Sequence, residues 1–243
     1  MAESPTPAKS NQILARLDAD DARLLTPHLH PVDLPVLRQL ERRDRRTDFV
    51  YFIDSGFASV VADGGSSRSV EVGLIGREGM TGLAMIMGSD RSPNDTYMQA
   101  AGGGRRIAVA KLQEAIEKSV SLQRTLLQWC HTFVIQTGQT VLANARSKIE
   151  DRLARWLLMA HDRLDSDRVE LTHEFLSTML GVRRAGVTVA LRLLEKRGLI
   201  QAKRGGIYVV DRAGLRETSN GAYGVAEAEY QRLLGSSPFR TTS

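Results

Sequence analysis

The stretch 171-LTHEFLSTMLGVRRAGVTVALRLLEKRGLI-200 holds two short helical patterns joined at one glycine. Thr172 is placed to cap the first, since a hydroxyl there accepts a backbone N–H, and Glu174 adds negative charge to the first turn. Phe175, Leu176, Met179 and Leu180 supply its apolar face, with Ser177 small where two helices would cross. Gly181 can take the left-handed conformation that ends a helix. Val182 anchors the turn, and Val187, Ala190, Leu191 and Leu194 bury the second pattern. A small residue, a turn glycine and apolar anchors at these offsets describe a helix-turn-helix.

The second helix opens with Arg183 and Arg184 on its exposed side. N-terminal residues of such a helix face base edges and phosphates in a DNA major groove. Arginine matches guanine O6 and N7 by two parallel hydrogen bonds. Thr188 lies one turn beyond Arg184 on the same face, within reach of a thymine methyl or a phosphate. Gly186 is read as letting the helix backbone approach the sugar–phosphate wall, at about 1 kcal/mol in helix propensity. Thr172, His173 and Ala185 complete the expected contact surface. The following LIQAKRGGIYVVD, Leu199 to Asp211, reads as two short strands around a Lys-Arg-Gly-Gly turn, the place of a wing. Lys203 and Arg204 at its tip suit phosphates, which position a domain without reading sequence.

Charge supports this reading. The 243-residue chain carries a net +5, and from Asn144 to Gly206 there are 13 Lys plus Arg against 8 Asp plus Glu. The remainder balances at 20 of each. All the excess positive charge therefore lies around the helix-turn-helix, as a polyanionic partner would select.

Working outward, Ile13 to Leu29 reads as short helices. From Val32 to about Val109 brief apolar runs are cut by Gly, Asp and Ser, the texture of an antiparallel barrel or sandwich, with Asp63–Gly65 a candidate hairpin turn. A helical reading from Lys111 to about Arg146 contains Leu126, Trp129, Phe133, Gln136 and Thr140 at spacings of three and four. A helix from Ser121 to Ala145 would be about 37 Å long, and its apolar seam is expected to pair with a second copy of the chain. Packing of that seam on the chain's own β domain stays open. In IEDRLARWLLMAHDRL, Ile149, Leu153, Trp156, Leu157 and Leu164 form an inner side, with Arg152, Arg155 and Arg163 expected outside. The expected organisation is a disordered Pro/Ser/Ala-rich leader (1–12), a β-rich sensor domain (13–120), a dimerisation helix (121–146), a winged helix-turn-helix (147–215) and a C-terminal extension (216–243). The fold class is α+β.

This order resembles the Crp/Fnr family of bacterial transcription regulators, most specifically in residues 171–200. The resemblance implies a cyclic-nucleotide-binding-like β-roll, a homodimer, double-stranded operator DNA as partner and RNA polymerase as a candidate second partner. It places an effector pocket at Gly82, Leu83, Arg91, Ser92, Asn94 and Thr137. The departures are specific. Leu83 stands where the family's nucleotide binders carry a ribose-binding glutamate, and Arg91 and Asn94 compete for the phosphate arginine's place. Losing the glutamate removes a charge-assisted hydrogen bond of roughly 1.5–3 kcal/mol, so the effector is expected not to be a cyclic nucleotide, or to be absent. Arg184 matches a family DNA contact, whereas Ala185 and Val189 replace the usual glutamate and arginine, which implies an operator of its own.

Other classes are poorly supplied. One cysteine, Cys130, excludes an internal disulfide and a multi-cysteine metal or iron–sulfur site within a chain; it reads as a buried structural thiol. No stretch approaches the length of a membrane span, and the N-terminus lacks an apolar signal core, so no membrane partner and a cytoplasmic location are expected. His28 and His30 could pair on a metal, but only Asp33 lies near as a further ligand, and no metal site is expected. The AGGGRR stretch lacks the ending of a phosphate loop. No catalytic constellation is read. The competing function is a sensor or interaction module whose helical C-terminal part binds protein rather than DNA.

Overall fold

Short strands cut by turn residues close into two antiparallel sheets. The computed structural model describes residues 10–65, 69–171, 173–235 and 239–240. After helix α1 (Ala19–Leu25) come strands β1 (His30–Leu34), β2 (Gln39–Glu41), β3 (Phe49–Ile53), β4 (Phe57–Asp63) and β5 (Ser69–Ile75), then a single turn α2 (Leu83–Ile86) and strands β6 (Asp95–Ala100) and β7 (Gly102–Ala108). The sheets run β1-β7-β3 and β2-β6-β4-β5. Between them Val50, Phe52, Ile75, Met80, Met98 and Ile107 are buried in one core. The connection expected as a tight turn at Asp63–Gly65 is longer, since β4 ends at Asp63 and β5 resumes at Ser69.

Helices α3 (Val109–Lys118) and α4 (Val120–Arg146) follow. The helical reading from Lys111 is interrupted at Ser119, which is extended (φ −137°, ψ 114°) and whose hydroxyl accepts from Leu122 N. That hydroxyl also donates to Asp21, pinning the break to α1.

The expected dimer seam is a correction. Leu126, Trp129, Phe133 and Gln136 are all buried against the chain's own roll. Trp129 Nε1 donates to Met80 O at 3.0 Å, and its ring lies so close over Gly79 that a Cβ there would run into the indole. Gln136 brackets Leu74, accepting from its N–H at 2.6 Å and donating to its carbonyl at 3.2 Å. Thr140 is half-buried and donates to Gln136 O. The aromatic stripe faces inward because Gly73 and Gly79 of the roll let rings lie directly on the backbone. What α4 leaves to solvent is a different line, Val120, Leu127, Val134 and Val141, spaced by seven residues.

Helix α5 (Ile149–Arg163) leads into β8 (Arg168–Val169), α6 (His173–Leu180), α7 (Arg184–Lys196) and the hairpin β9 (Ile200–Lys203) and β10 (Gly206–Val209), with sheet order β8-β10-β9. Arg155 and Arg163, expected outside, are buried. Arg163 forks onto Glu78 of the roll at 2.8 and 2.7 Å and donates to Met159 O. Arg155 donates to Ala222 O and Gln136 O. A buried guanidinium is tolerated when carboxylate and carbonyl acceptors surround it, as they do here. The second core contains Leu153, Trp156, Leu176, Val187, Leu191 and Ile207 and also takes in Phe57, Val61 and Leu74 from the roll. Trp156 meets Phe57 edge-on at 6.4 Å.

The first and last described segments are both built in. Helices α8 (Arg212–Thr218) and α9 (Val225–Leu234) follow the hairpin. Tyr230 of α9 is buried edge-on to Trp129 and Phe239 and donates to Glu78 O at 2.9 Å. Residues 10–12, assigned to the leader from sequence, are held in place. Asn11 is fully buried, its amide donating to Ile53 O and Gly79 O. Arg16 donates to Leu234 O, so the N-terminal turn meets the tail. No helix among the described residues is long and apolar enough to cross a membrane.

Candidate nucleic-acid interface

The turn between α6 and α7 is fixed by its own backbone. Gly181 has φ +60°, its N–H donates to Thr178 O, and Val182 N donates to Ser177 O. That pair of bonds satisfies the last carbonyls of α6 and needs a residue at ease with positive φ. Arg152 of α5 adds a guanidinium bond to Leu180 O, where the negative end of α6 favours a cation. Thr172, expected as the cap of α6, lies outside the described residues, as does the side chain of His173, which opens that helix.

Arg183 sits at the N-cap of α7 in extended conformation, and no side chain caps the helix. The first N–H groups of α7 are thus left to solvent or to an anion. Val187, Ala190, Leu191 and Leu194 are buried, so Arg183, Arg184 and Ala185 face out, together with Val189 and Arg192. Thr188 is half-buried and donates to Arg184 O at 3.1 Å. Arg192 was missed from sequence, although it lies eight residues beyond Arg184 and four beyond Thr188, on the same face.

Gly186 is a second correction. A Cβ on it would lie 3.0 Å from Ile149 Cδ1. Its bare side therefore faces α5 rather than outward, and the glycine permits close helix crossing one residue before the buried Val187. At the wing, Arg204 and Gly205 (φ +80°) form the tip, and Lys203 Nζ lies 4.8 Å above the Tyr208 ring. Lys203 and Arg204 are exposed.

The residues set out for an effector are dispersed in role. Gly82 N donates to Glu41 Oε1 at 3.2 Å, and Thr96 Oγ1 donates to the other oxygen at 2.9 Å. Glu41 is buried, and that burial raises its pKa. The Gly82 amide is thus already paired with an internal carboxyl. Arg91 is exposed and forked onto Asp90 at 2.8 and 3.0 Å; Ser92 Oγ accepts from Asn94 N. Leu83 begins α2, and Thr137 is half-buried on α4. Nearer the second core, Glu71 is buried between Trp156 Nε1 (2.7 Å) and Ser59 Oγ (2.5 Å), and burial pushes its carboxyl up to about 7. Cys130 is buried, its thiol pushed up to about 12. Among the described residues no three His, Cys, Asp or Glu groups come together to hold a metal.

Residues 151–218 match the family model for the Crp-like helix-turn-helix domain, so this part of the chain is a domain of that class. Solved structures extend the likeness over most of the chain. A Eubacterium rectale structure assigned to the crp/fnr family of transcriptional regulators superposes with a TM-score of 0.68 at 16% identity, covering 84% of this chain and 96% of that one. FixK2 from Bradyrhizobium japonicum gives 0.67 at 16% identity, with 78% and 96% covered. A CRP-family transcriptional regulator from Thermus thermophilus gives 0.66 at 15% identity, with 79% and 98% covered. No curated protein matches the sequence. In architecture the chain shares the fold of these structures: an antiparallel roll, a long helix and a winged helix-turn-helix.

Proposed function

We propose that the chain is a homodimeric, sequence-specific DNA-binding regulator whose effector is not a cyclic nucleotide. The observation that carries the reading is the exposed face of α7, where Arg183, Arg184, Ala185, Val189 and Arg192 lie together beside a wing tipped by Lys203 and Arg204. Arg184 is the base reader of this set, and Arg183 with the uncapped N-terminus of α7 takes flanking phosphate. Thr188 and Ala185 shape the apolar side of the same contact. The exposed valine–leucine line of α4 carries the dimer, because an apolar row spaced by seven is the seam two parallel helices share. Against a cyclic nucleotide stand Leu83 at the ribose position and Glu41 on the Gly82 amide.

The reading is tested by gel shift against fragments of the source genome. Sequence-selective retention is expected, lost in Arg184→Ala while circular dichroism and melting stay native. Absence of DNA binding at moderate salt, with the folded dimer present, overturns it in favour of a protein-binding module.

A further inference from the structure

Between the roll and the DNA-binding half lies a cleft of about 490 Å³, within the size range of small-molecule sites. Its walls come from both halves: Leu37, Phe57 and Gln99 from the roll, and Arg168, Leu171 and Phe175 from the segment that runs into α6. Aliphatic and aromatic groups dominate it, yet one buried polar group in its wall is incomplete. Gln99 is only 6% exposed, and its Oε1 has no hydrogen-bond partner. Buried side-chain carbonyls are ordinarily paired, so this one marks a place where something else donates. Arg168 is the one cation in this lining among the described residues. Its ion pair, to Glu170 at 3.2 Å, is with a largely exposed carboxylate, a weak competitor for the guanidinium. At the mouth, Leu37 holds a left-handed backbone (φ +64°) and is 68% exposed. Leucine rarely adopts that conformation, and such positions gather at ligand sites.

We propose that this cleft binds a small amphipathic hydroxycarboxylate. The apolar body lies between Leu37, Phe57, Leu171 and Phe175, the carboxylate accepts from Arg168, and the hydroxyl donates to Gln99 Oε1. The ligand is distinguished from a cyclic nucleotide by its long apolar body, which these walls suit, and by needing one cation and one acceptor. Binding there reaches the wing through Arg168 itself. That side chain packs on β10, where a Cβ at Gly206 would come 2.9 Å from Nε. The consequence for DNA rests on the reading given under Proposed function; the binding itself does not.

The test is titration calorimetry of the full chain, without DNA, using 3-hydroxydecanoate and decanoate as probes. Saturable binding of one molecule per chain is expected, with 3-hydroxydecanoate the tighter. Gln99→Leu erases that preference, and Arg168→Gln weakens both probes at least tenfold. Leu37→Asp also weakens both at least tenfold and keeps the native melting profile, since aspartate tolerates the left-handed backbone. Arg184→Ala leaves binding unchanged, which separates this site from the DNA-reading face. No saturable heat up to millimolar probe, or equal affinity in wild type, Arg168→Gln and Leu37→Asp, overturns the proposal.

Discussion

Single side chains divide here by which surface they serve. Lys203 and Arg204 project from the wing tip and are expected to bind phosphate. Replacing both with alanine should lower affinity for specific and unrelated DNA alike and reduce the slope of log affinity against log salt by about two, at roughly 0.9 per phosphate contact. Anisotropy titrations across a salt series measure this, and a change confined to one sequence would contradict it. Gly186 shows what one sequence can and cannot reveal at this scale. A glycine in the first turn of a reading helix invites a ligand explanation, but its neighbour Ile149 lies 37 residues earlier and leaves no mark in the local pattern. Glu71 was equally hidden, a glutamate in a strand with nothing to announce Trp156 above it. Its carboxyl is pushed up to about 7 from the ordinary 4.5. Between those values the folded chain holds a proton that the unfolded chain has lost, so this group's contribution to stability falls as pH rises across that window. Asp162, pushed up to about 6 by burial, acts in the same direction. His161, whose pKa burial lowers, acts in the opposite one. The diagnostic is therefore the comparison with Glu71→Gln: on going from about pH 5.5 to about pH 7.5 the wild type should lose more melting temperature than the variant does. Parallel curves would contradict the assignment.

At the scale of elements, α4 is the instructive case. Its span was legible, Ser121–Ala145 from sequence against Val120–Arg146 in the structure, because an unbroken helical period with no proline is a strong signal. Its sidedness was not. The helix has two apolar lines, and the aromatic one is the more prominent in sequence, but Trp129 and Phe133 rest on glycines of the roll. The quieter line, Val120, Leu127, Val134 and Val141, is the one left exposed. Val134→Glu should accordingly give a monomer by sedimentation at micromolar concentration with little change in monomer fold, whereas a persistent dimer would place the interface elsewhere. Trp129→Ala, in contrast, should cost about 3–5 kcal/mol of folding stability whatever the assembly, as deletion of a buried aromatic does. Denaturant melts of the two variants separate the faces. The buried arginines of α5 follow the same logic: their helix was plain, but Glu78 lies far back in the chain and its pairing with Arg163 is a tertiary fact.

Over the whole molecule, the order of parts was readable and their docking was not. Strand texture, a long helix and a helix-turn-helix each have a local period; the sharing of Phe57, Val61 and Leu74 with the helix-turn-helix half has none. That shared core, with Arg163 on Glu78 across the same junction, ties the two halves into one unit. Calorimetric unfolding should therefore give one cooperative transition rather than two, the van't Hoff and calorimetric enthalpies agreeing; two resolved peaks would show the halves to be separable. The tail belongs to this scale as well. Tyr230 fills the space beside Trp129 and bonds the carbonyl of Glu78, and Arg16 reaches the carbonyl of Leu234. During synthesis these residues emerge long after the roll they complete. The first half of the protein must wait on the ribosome with one flank open, and it closes only when α9 has been made.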